Sequence, residues 1–480
     1  ANAKSDKKPF TIVIPPPNVT GSLHIGHALD HTLQDTLTRM KRMKGFEALW
    51  LPGMDHAGIA TQNVVERQLA SQGKSRHDLG RDEFVKKVWE WKAESGGAIL
   101  GQMKRLGDSV DWSRERFTMD EGLSKAVLTI FKRLYDAELI YRAERIINWC
   151  PRCLTALSDI EVEHQEIDGE FVQIRYGDEN GDHIWIATTR PETMLGDGAV
   201  AVNPNDERYK NMIGKSVLLP YVNRMIPIIA DEYVAMDFGT GALKITPAHD
   251  MNDYQIGMKH GLEVFEILNE DGTLSEDAQL LVGKDRFEAR KEIITLLEAQ
   301  EHVGKIEDYT HQVGFSERTD VVVEPRLSLQ WWVDMKQLAT PALKAVMEDE
   351  IQFHPAKFKN LYRHWMENIK DWCISRQLWW GHRIPAWYDE QGNVYVESSL
   401  EKVYETFPET KGKTLTQDND CLDTWFSSWL WPFEVFKGLS NPNNAEVNYY
   451  YPTSTLVTAP EIIFFWVARM IMAGEEYMGK

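Results

Sequence analysis

The sequence has little cysteine and a deficit of positive charge. Its 4 cysteines in 480 residues exclude a fold held together by disulfide bonds and predict a reducing compartment. Its 53 lysines and arginines are outnumbered by 73 aspartates and glutamates, which gives a formal net charge of −20. Such an acidic chain excludes sequence-independent binding to phosphate backbones, so any nucleic-acid contact requires a local basic surface.

Long hydrophobic runs are missing as well. The most apolar stretch, 462–473, is too short to span a bilayer and contains Arg469, so we predict a buried helix there. The polar, lysine-bearing N-terminus predicts no signal peptide. With 43% hydrophobic and 26% charged residues, the composition indicates a globular protein of about two or three domains. We therefore expect a cytoplasmic protein that makes no membrane contact.

Residues 10–51 predict a βαβ unit. The apolar run 10–14 is stopped by three prolines and predicts a buried strand, and a second apolar run follows at 48–51. Between them, a helical pattern runs from Ser22 to the stop signal Gly45. Its apolar residues at helical spacing are Leu29, Leu33, Leu37 and Met40. The sheet should be parallel, with a ligand at the carboxyl ends of its strands.

Two histidines, His24 and His27, lie in the first turn of that predicted helix. At this spacing they share a face beside the first backbone N–H groups and the positive end of the helix dipole, where anions bind. The string PPPNVTGSLHIGHAL at 15–29 therefore predicts a site for a phosphate that gains charge during a reaction. The triplets at 73–75 and 214–216 resemble P-loop ends but lack the opening glycine, so we predict turns there.

Asp55 follows the second predicted strand, in the string LPGMDHAGIATQ at 51–62. Its loop should lie at the same sheet edge as the histidines, where a carboxylate can hold an α-ammonium group. The alternative is a turn aspartate that caps the next helix.

Two cysteines, Cys150 and Cys153, have the spacing of half a zinc ribbon. A structural zinc site needs four ligands, and a second close pair of Cys or His residues is missing because Cys373 and Cys421 stand alone. We therefore expect no zinc.

From about Glu161 the pattern changes to short strands and predicts a β-rich inserted domain. The predicted strands are 183–188, 199–202, 216–219, 226–230 and 242–246. Two polar strings mark the domain, TTRPETMLGD at 188–197 and FGTGALKITPAHDMND at 238–253. Taken singly, most of their residues could be turn or cap residues.

The string at 15–29 resembles the HIGH signature of class I aminoacyl-tRNA synthetases. Together with DHAGIATQ at 55–62 it is similar to the valine-specific branch of that family rather than to the isoleucine or leucine branches. The polar strings at 188–197 and 238–253 resemble the editing domain of these branches. The resemblance implies an α/β fold: a Rossmann-type nucleotide-binding fold with a parallel sheet, interrupted by a β-rich inserted editing domain.

The resemblance also implies domain boundaries. Residues 1–160 would form the first half of the catalytic domain, 161–324 the inserted editing domain, and 325–480 the second part of the catalytic domain with a smaller connective insertion.

The implied activity is that of a ligase. ATP, with Mg²⁺, would activate valine to valyl-adenylate, the valyl group would pass to tRNA(Val), and the inserted domain would hydrolyse mischarged threonyl-tRNA(Val). A pocket sized for an isopropyl group cannot strongly reject threonine, which is why a second site is needed. We expect the enzyme to act as a monomer.

The resemblance assigns roles to three groups of residues. His24 and His27 would be catalytic by stabilising charge on the α-phosphate of ATP, and Thr20 and Gly26 would complete the ATP site. The residues implied for valine binding are Pro17, Asn18, Asp55, Trp425, Ile462 and Trp466. The residues implied for editing are Thr189, Arg190, Asp197, Phe238, Lys244, Thr246, Asp250 and Asp253.

Within the editing group, the implied roles differ. Arg190 and Lys244 would hold the tRNA 3′ end, Phe238 would stack on its terminal adenine, and Asp253 would bind the threonyl hydroxyl or ammonium group. The remaining residues would complete the pocket and position water.

Two features of the family have no counterpart in the sequence. A lysine-containing KMSKS-type loop, the second ATP signature, is not found, and neither is the anticodon-binding helical domain. We expect the chain to cover roughly the first half of the family's architecture. The alternative function is that of a tRNA 3′-end binding and deacylating fragment without efficient amino-acid activation, because losing electrostatic stabilisation of a developing charge slows a reaction strongly.

Overall fold

The chain folds into two compact units. The computed structural model describes residues 1–177, 182–317 and 319–480. Unit 1 comprises Ala1–Arg142 and Trp331–Lys480, and unit 2 comprises Ala143–Gln330. Unit 2 is therefore an insertion in the sequence of unit 1.

The unit boundaries differ from the sequence-based ones at 160/161 and 324/325. Both fall inside strands, β5 at Ile140–Cys150 and β14 at Glu324–Val333. Because a strand carries no turn residues, the sequence pattern does not mark these positions.

Unit 1 opens with the predicted βαβ unit. Strand β1 (Pro9–Val13) pairs in parallel with β2 (Glu47–Leu51), and α1 (Ile25–Met43) connects them. The two predicted strands are confirmed. The helix begins later than Ser22 because His24 has an extended backbone (φ −116°, ψ 178°) and is the N-cap.

Helix α1 buries its polar side. His31, Gln34 and Thr38 are buried, whereas Leu29 is 64% and Leu33 48% exposed. The Trp50 indole N–H donates to Gln34 Oε1 (2.9 Å), so a hydrogen bond anchors the helix to β2. The apolar spacing therefore predicts the helix but not the face that it buries.

The rest of unit 1 is mainly helical. After β2 the elements are β3 (Gly53–Met54), α2 (Gly58–Ala70), α3 (Arg76–Leu79), α4 (Arg81–Leu106), β4 (Arg116–Phe117) and α5 (Glu121–Asp136). After β14 they are α8 (Lys336–Met347), α9 (Lys357–Glu367), β15 (Trp372–Cys373), β16 (Ser375–Arg376), β17 (Ala386–Tyr388), β18 (Val394–Val396), α10 (Leu400–Thr406), β19 (Thr416–Gln417), β20 (Cys421–Leu422), α11 (Trp425–Ser428), α12 (Trp431–Glu434), α13 (Ala445–Tyr450) and α14 (Ala468–Met478).

The apolar stretch 462–473 is helical and largely buried, as predicted, but it is not one regular helix. A 3₁₀ turn (Pro460–Ile462) leads into a π-helical segment (Ile463–Val467), which continues as α14. The segment packs into a core that also holds Trp331 and Trp429.

Among the described residues of unit 2, two sheets lie wholly within the unit. Its elements are β6 (Thr155–Leu157), β7 (Val162–Gly177), β8 (His183–Thr188), β9 (Ala199–Val202), β10 (Ser216–Leu219), β11 (Arg224–Ala230), β12 (Ala242–Ile245), α6 (Met251–His260), α7 (Arg286–Ala299) and β13 (Val303–Ser316). The antiparallel sheet has the order β13-β7-β8, and the mixed sheet has the order β10-β11-β9-β12.

All five predicted strands of unit 2 are present, but the two longest strands were not predicted. Along much of β7 and β13, exposed residues alternate with half-buried ones, so the apolar alternation that signals a strand is absent. A separate hydrophobic core joins the two sheets, with Val172 and Ile186 from one and Val200 and Ile228 from the other. Within the described residues, no helix is both long and apolar enough to cross a membrane.

Candidate active sites

The start of α1 holds His24 and His27 side by side. The Gly26 N–H donates to His24 Nδ1 (3.1 Å), the His24 N–H donates to His27 Nδ1 (3.2 Å), and the ring centroids are 4.0 Å apart. Because Nδ1 of each ring accepts a hydrogen bond in this arrangement, the ring proton lies on Nε2. Each imidazole therefore retains one N–H donor for a ligand.

Burial lowers the pKa of His27 to about 4, and the neighbouring His24 and His31 add to the effect. His27 is thus neutral at physiological pH, and its N–H dipole acts together with the positive end of α1. Gly26 is required for this arrangement, since a Cβ there would lie 2.9 Å from Cε1 of His24. Thr20 is half-buried in the turn before the helix.

Asp55 lies beside Asn18, at the edge where the sequence places it. The Val19 N–H donates to the Asp55 carbonyl (3.1 Å), and the Asp55 N–H donates to the Pro17 carbonyl (3.0 Å). The structure therefore brings together Pro17, Asn18 and Asp55 of the implied valine site.

The Asp55 carboxylate is buried and already accepts two hydrogen bonds, from the Ala57 N–H (2.7 Å) and the Ser428 hydroxyl (2.6 Å). Burial raises the pKa of Asp55 to about 6, and these two bonds oppose the rise. The group is mainly ionised at neutral pH, so it can bind an ammonium group.

Ser428 joins this carboxylate to the implied side-chain pocket. Its carbonyl accepts the Trp466 indole N–H (2.9 Å), and it ends helix α11, which begins at Trp425. The Trp425 ring lies 5.5 Å from that of Phe465, and Ile462 is half-buried just before the π-helical segment. Sequence reasoning missed Ser428, although it lies three residues after Trp425, at helical spacing.

In unit 2, Asp197, Lys244, Thr246 and Asp253 form a buried polar group, which we name the Lys244 cluster. Lys244 Nζ donates to Asp197 Oδ1 (3.0 Å) and also contacts the Thr246 hydroxyl. That hydroxyl donates to Asp197 Oδ1 (2.6 Å), and the Thr246 N–H donates to Asp253 Oδ2 (2.8 Å). Four of the eight implied editing residues are therefore buried together in one connected network.

Burial raises the pKa of both carboxylates of the cluster, Asp197 and Asp253. It raises the pKa of Asp253 to about 7, with Asp250 adding to the rise, and it raises the pKa of Asp197 against the opposing effects of Lys244 and Thr246. Asp253 thus exchanges a proton near neutral pH, which suits a group that binds or activates a polar ligand.

Arg190 is held by carboxylates of unit 2. Its guanidinium donates to Glu324 (2.5 Å), to Glu192 (3.1 Å) and to the His249 carbonyl (3.3 Å). Glu192 also accepts two hydrogen bonds from Arg290, at 2.7 and 2.8 Å. These bonds use three of the five N–H groups of the guanidinium, one each on Nε, Nη1 and Nη2, so the second N–H of Nη1 and of Nη2 can serve a contact to another molecule.

The remaining implied editing residues lie nearer the surface. Phe238 is 55% exposed, and its ring centroid lies 5.5 Å from that of Phe171. Asp250 is the N-cap of α6 and accepts the N–H of Asp253 (3.0 Å), and Thr189 is half-buried.

The two close cysteines lie in unit 2, buried and without a disulfide bond. The Cys153 N–H donates to Cys150 Sγ (3.2 Å), and the Thr319 hydroxyl lies 3.4 Å from the same sulfur. Within the part of the chain that the structure describes, no group of three or more His, Cys, Asp or Glu residues could hold a metal ion.

Two imidazoles lie at the start of the first helix of a parallel βαβ unit, and a buried carboxylate follows the second strand of that unit. These features define a nucleotide-binding protein of the Rossmann type, here with a β-rich insertion. Over residues 1–480 the sequence matches the family described as tRNA synthetases class I (I, L, M and V). The chain belongs to this family.

Two curated relatives show which members of this family the chain is similar to. The chain is 57% identical to the valine-tRNA ligase of Porphyromonas gingivalis over 482 aligned residues, which cover 99% of this chain and 55% of the relative. It is 58% identical to the valine-tRNA ligase of Streptomyces coelicolor, with 99% of this chain and 53% of the relative covered. The chain thus spans about half the length of the curated relatives that it matches.

Proposed function

We propose that this chain carries the amino-acid-activating and editing sites of a valine-tRNA ligase. The observation that carries the proposal is its 57% and 58% identity to valine-tRNA ligases over 99% of its length. The geometry of unit 1 supports it, because an ammonium-binding carboxylate and two phosphate-facing donors lie on one βαβ unit.

In the activation step, a valine carboxylate oxygen attacks the α-phosphorus of ATP and pyrophosphate leaves. Asp55 holds the ammonium group, while Trp425, Ile462 and Trp466 surround the isopropyl group. The Nε2–H groups of His24 and His27 donate to the phosphate oxygens as negative charge builds on them. Neutral imidazoles are sufficient for this, since the donors and the helix terminus are fixed in advance.

Mg²⁺ enters this proposal only with the nucleotide. It prefers octahedral oxygen ligands and is commonly bound through substrate phosphates and water with one or two carboxylates.

In the editing step, water attacks the carbonyl carbon of threonyl-tRNA(Val), the bond to the ribose oxygen breaks, and that oxygen takes up a proton. Asp253 binds the threonyl hydroxyl or ammonium, and Phe238 stacks on the terminal adenine. Lys244 and Arg190 hold the 3′ end. Thr189, Asp197, Thr246 and Asp250 shape the pocket. The buried Lys244 cluster supports this assignment because it places a cation, a hydroxyl and a titrating carboxylate together.

The partners in this proposal are ATP, valine, tRNA(Val) and, as the edited amino acid, threonine. Four cysteines that form no disulfide bond are compatible with the cytoplasm as the compartment, and we propose that the protein acts there as a monomer.

Two assays on one sample test the proposal. We expect hydrolysis of threonyl-tRNA(Val), loss of that hydrolysis in Asp253→Ala, and ATP–pyrophosphate exchange that depends on valine. Exchange with isoleucine in preference to valine would contradict the specificity. Hydrolysis without any exchange would support the second candidate, a deacylating fragment that does not activate amino acids.

A further inference from the structure

Tyr176 contacts the Lys244 cluster from a different sheet. It lies near the end of β7, whereas Lys244 belongs to β12, and its side chain is fully buried. Its hydroxyl donates to Asp197 Oδ2 at 2.6 Å. Neither sequence motif of the implied editing site contains this residue.

The two oxygens of the Asp197 carboxylate accept hydrogen bonds from different partners. Oδ1 accepts from Lys244 Nζ and from the Thr246 hydroxyl, while Oδ2 accepts from Tyr176. A buried carboxylate is costly unless its oxygens are paired. Tyr176 therefore favours the ionised form of Asp197 and fixes the rotation that directs Oδ1 towards Lys244.

We infer that Tyr176 is a positioning residue of the editing reaction, which it serves by holding Asp197 in the orientation that aligns Lys244 and Thr246. This inference rests on the proposed function. The bond from the Thr246 N–H to Asp253 extends the same alignment to the carboxylate that binds the threonyl group.

The charged and titratable groups that face Asp197 come from several elements. They are Tyr176 on β7, Lys244 on β12, Asp253 on α6 and Arg224 on β11. Burial raises the pKa of Tyr176 well above its usual range, so the phenol remains a donor throughout the accessible pH range. Loss of its hydroxyl removes an interaction that favours ionised Asp197, so Asp197 takes up a proton at higher pH.

The test compares Tyr176→Phe with wild type in hydrolysis of threonyl-tRNA(Val). We expect kcat to fall roughly tenfold near neutral pH, with KM within about threefold, because Lys244 keeps its charge but loses its alignment.

Tyr221→Phe is the matched control. It removes a phenol hydroxyl of the same unit that donates to the Leu296 carbonyl, away from the cluster. We expect its hydrolysis to equal that of wild type, with thermal unfolding confirming that both variants are folded at the assay temperature.

The outcomes separate this inference from the proposed function. Wild-type protein that fails to hydrolyse threonyl-tRNA(Val) contradicts the editing function and the inference with it. Active wild type with an equally active Tyr176→Phe, or with a Tyr176→Phe that changes KM alone, refutes only the role of Tyr176.

Discussion

His24 and His27 illustrate how one side chain can serve both the fold and the chemistry. Their Nδ1 atoms accept backbone N–H groups that would otherwise be left without partners at the start of α1, as in a capping box. The bonds fix the rings and leave the Nε2–H groups as donors. Removing either imidazole would therefore change helix stability as well as phosphate binding.

Gly26→Ala tests this dual role. Its Cβ would meet the His24 ring at 2.9 Å, so the ring must turn and its cap bond is lost. We expect valine-dependent pyrophosphate exchange to fall roughly tenfold or more. The free energy of unfolding should change little, because the lost cap bond and the higher helix propensity of alanine are each worth about 1 kcal/mol and oppose each other. Gly101→Ala within α4 is the control, since nothing lies within 4 Å of its Cβ. If both variants exchange equally well, the role of Gly26 is wrong.

The ionisation of Asp253 should make the rate of hydrolysis depend on pH. Its pKa of about 7 lies above the ordinary value of 3.8, so the folded protein takes up a proton as the pH falls through about 7. We expect hydrolysis that needs the ionised group to fall below that pH. The ionised carboxylate destabilises the folded state above pH 7, and this penalty disappears as the pH falls towards about 4.

Asp253→Asn separates the two effects. Thermal unfolding of the variant should occur at a higher temperature than that of wild type at about pH 8, with a smaller difference at about pH 5, while hydrolysis is lost. A variant with lower thermal stability at every pH would contradict this account of the buried charge.

The candidate site could be predicted only where its residues lie in contiguous strings. His24, His27 and Asp55 follow predicted strands, and the parallel topology places them at one edge. Ser428 could not be found in this way because its bond to Asp55 joins residues 373 positions apart. Tyr176 was missed for a similar reason, since it lies on a strand that the pattern did not predict.

At the scale of the element, α1 shows that the spacing of apolar residues predicts a helix but does not predict which side of it is buried. The helix was predicted from apolar residues at helical spacing, yet its buried side carries His31 and Gln34. These polar groups are buried because each has a specific partner, Asp108 at 2.8 Å for His31 and Trp50 at 2.9 Å for Gln34. Such partners depend on tertiary contacts that a helical pattern does not contain.

Helix α11 offers a prediction about valine binding. Ser428→Ala removes a hydrogen bond that opposes the raised pKa of Asp55, so less of this carboxylate is ionised at neutral pH. We expect the Kd for valine, measured by calorimetry, to rise roughly tenfold.

Ser427→Ala is the matched control on the same helix. The Ser427 hydroxyl is also buried, but it donates to the Thr424 carbonyl (2.8 Å) and not to Asp55. Its valine affinity should remain close to that of wild type. Equal losses in the two variants would show that α11 is sensitive to any substitution and would refute the specific role of Ser428.

At the scale of the whole molecule, the chain builds separate hydrophobic cores in its two units. The order of elements and the β-rich character of unit 2 followed from the sequence. The boundaries of the two compact units lie within β5 and β14, which carry no turn signal. The long strands β7 and β13 escaped prediction because one half of each carries mostly exposed side chains.

Because the two units have separate hydrophobic cores, we expect two thermal unfolding transitions. Glu324→Gln should lower the temperature of only one of them, the transition of unit 2. Glu324 is buried and accepts from Arg190 (2.5 Å) and Arg286 (2.6 Å), so the variant leaves two guanidinium groups short of a counter-charge. We expect roughly 2–3 kcal/mol of destabilisation, seen by calorimetry in the transition of unit 2.

Glu405→Gln in unit 1 serves as the reference. It removes an exposed partner of Lys402, which typically contributes little to stability. Neither transition should move by more than about a degree in this variant. A single transition that Glu324→Gln and Glu405→Gln shift equally would contradict independent cores.

The hydrogen bonds that the Nδ1 atoms of His24 and His27 accept at the start of α1 also affect how the two imidazoles react with other reagents. A neutral histidine binds transition metals and reacts with acylating agents through its unprotonated nitrogen, and in both rings that nitrogen is Nδ1, already engaged by a backbone N–H. A pair of exposed or half-exposed imidazoles three residues apart would ordinarily attract Ni²⁺ or Zn²⁺. Here the helix occupies the lone pairs, so the pair can offer protons to an oxygen anion while remaining a poor ligand for metals and a poor target for histidine-directed modification.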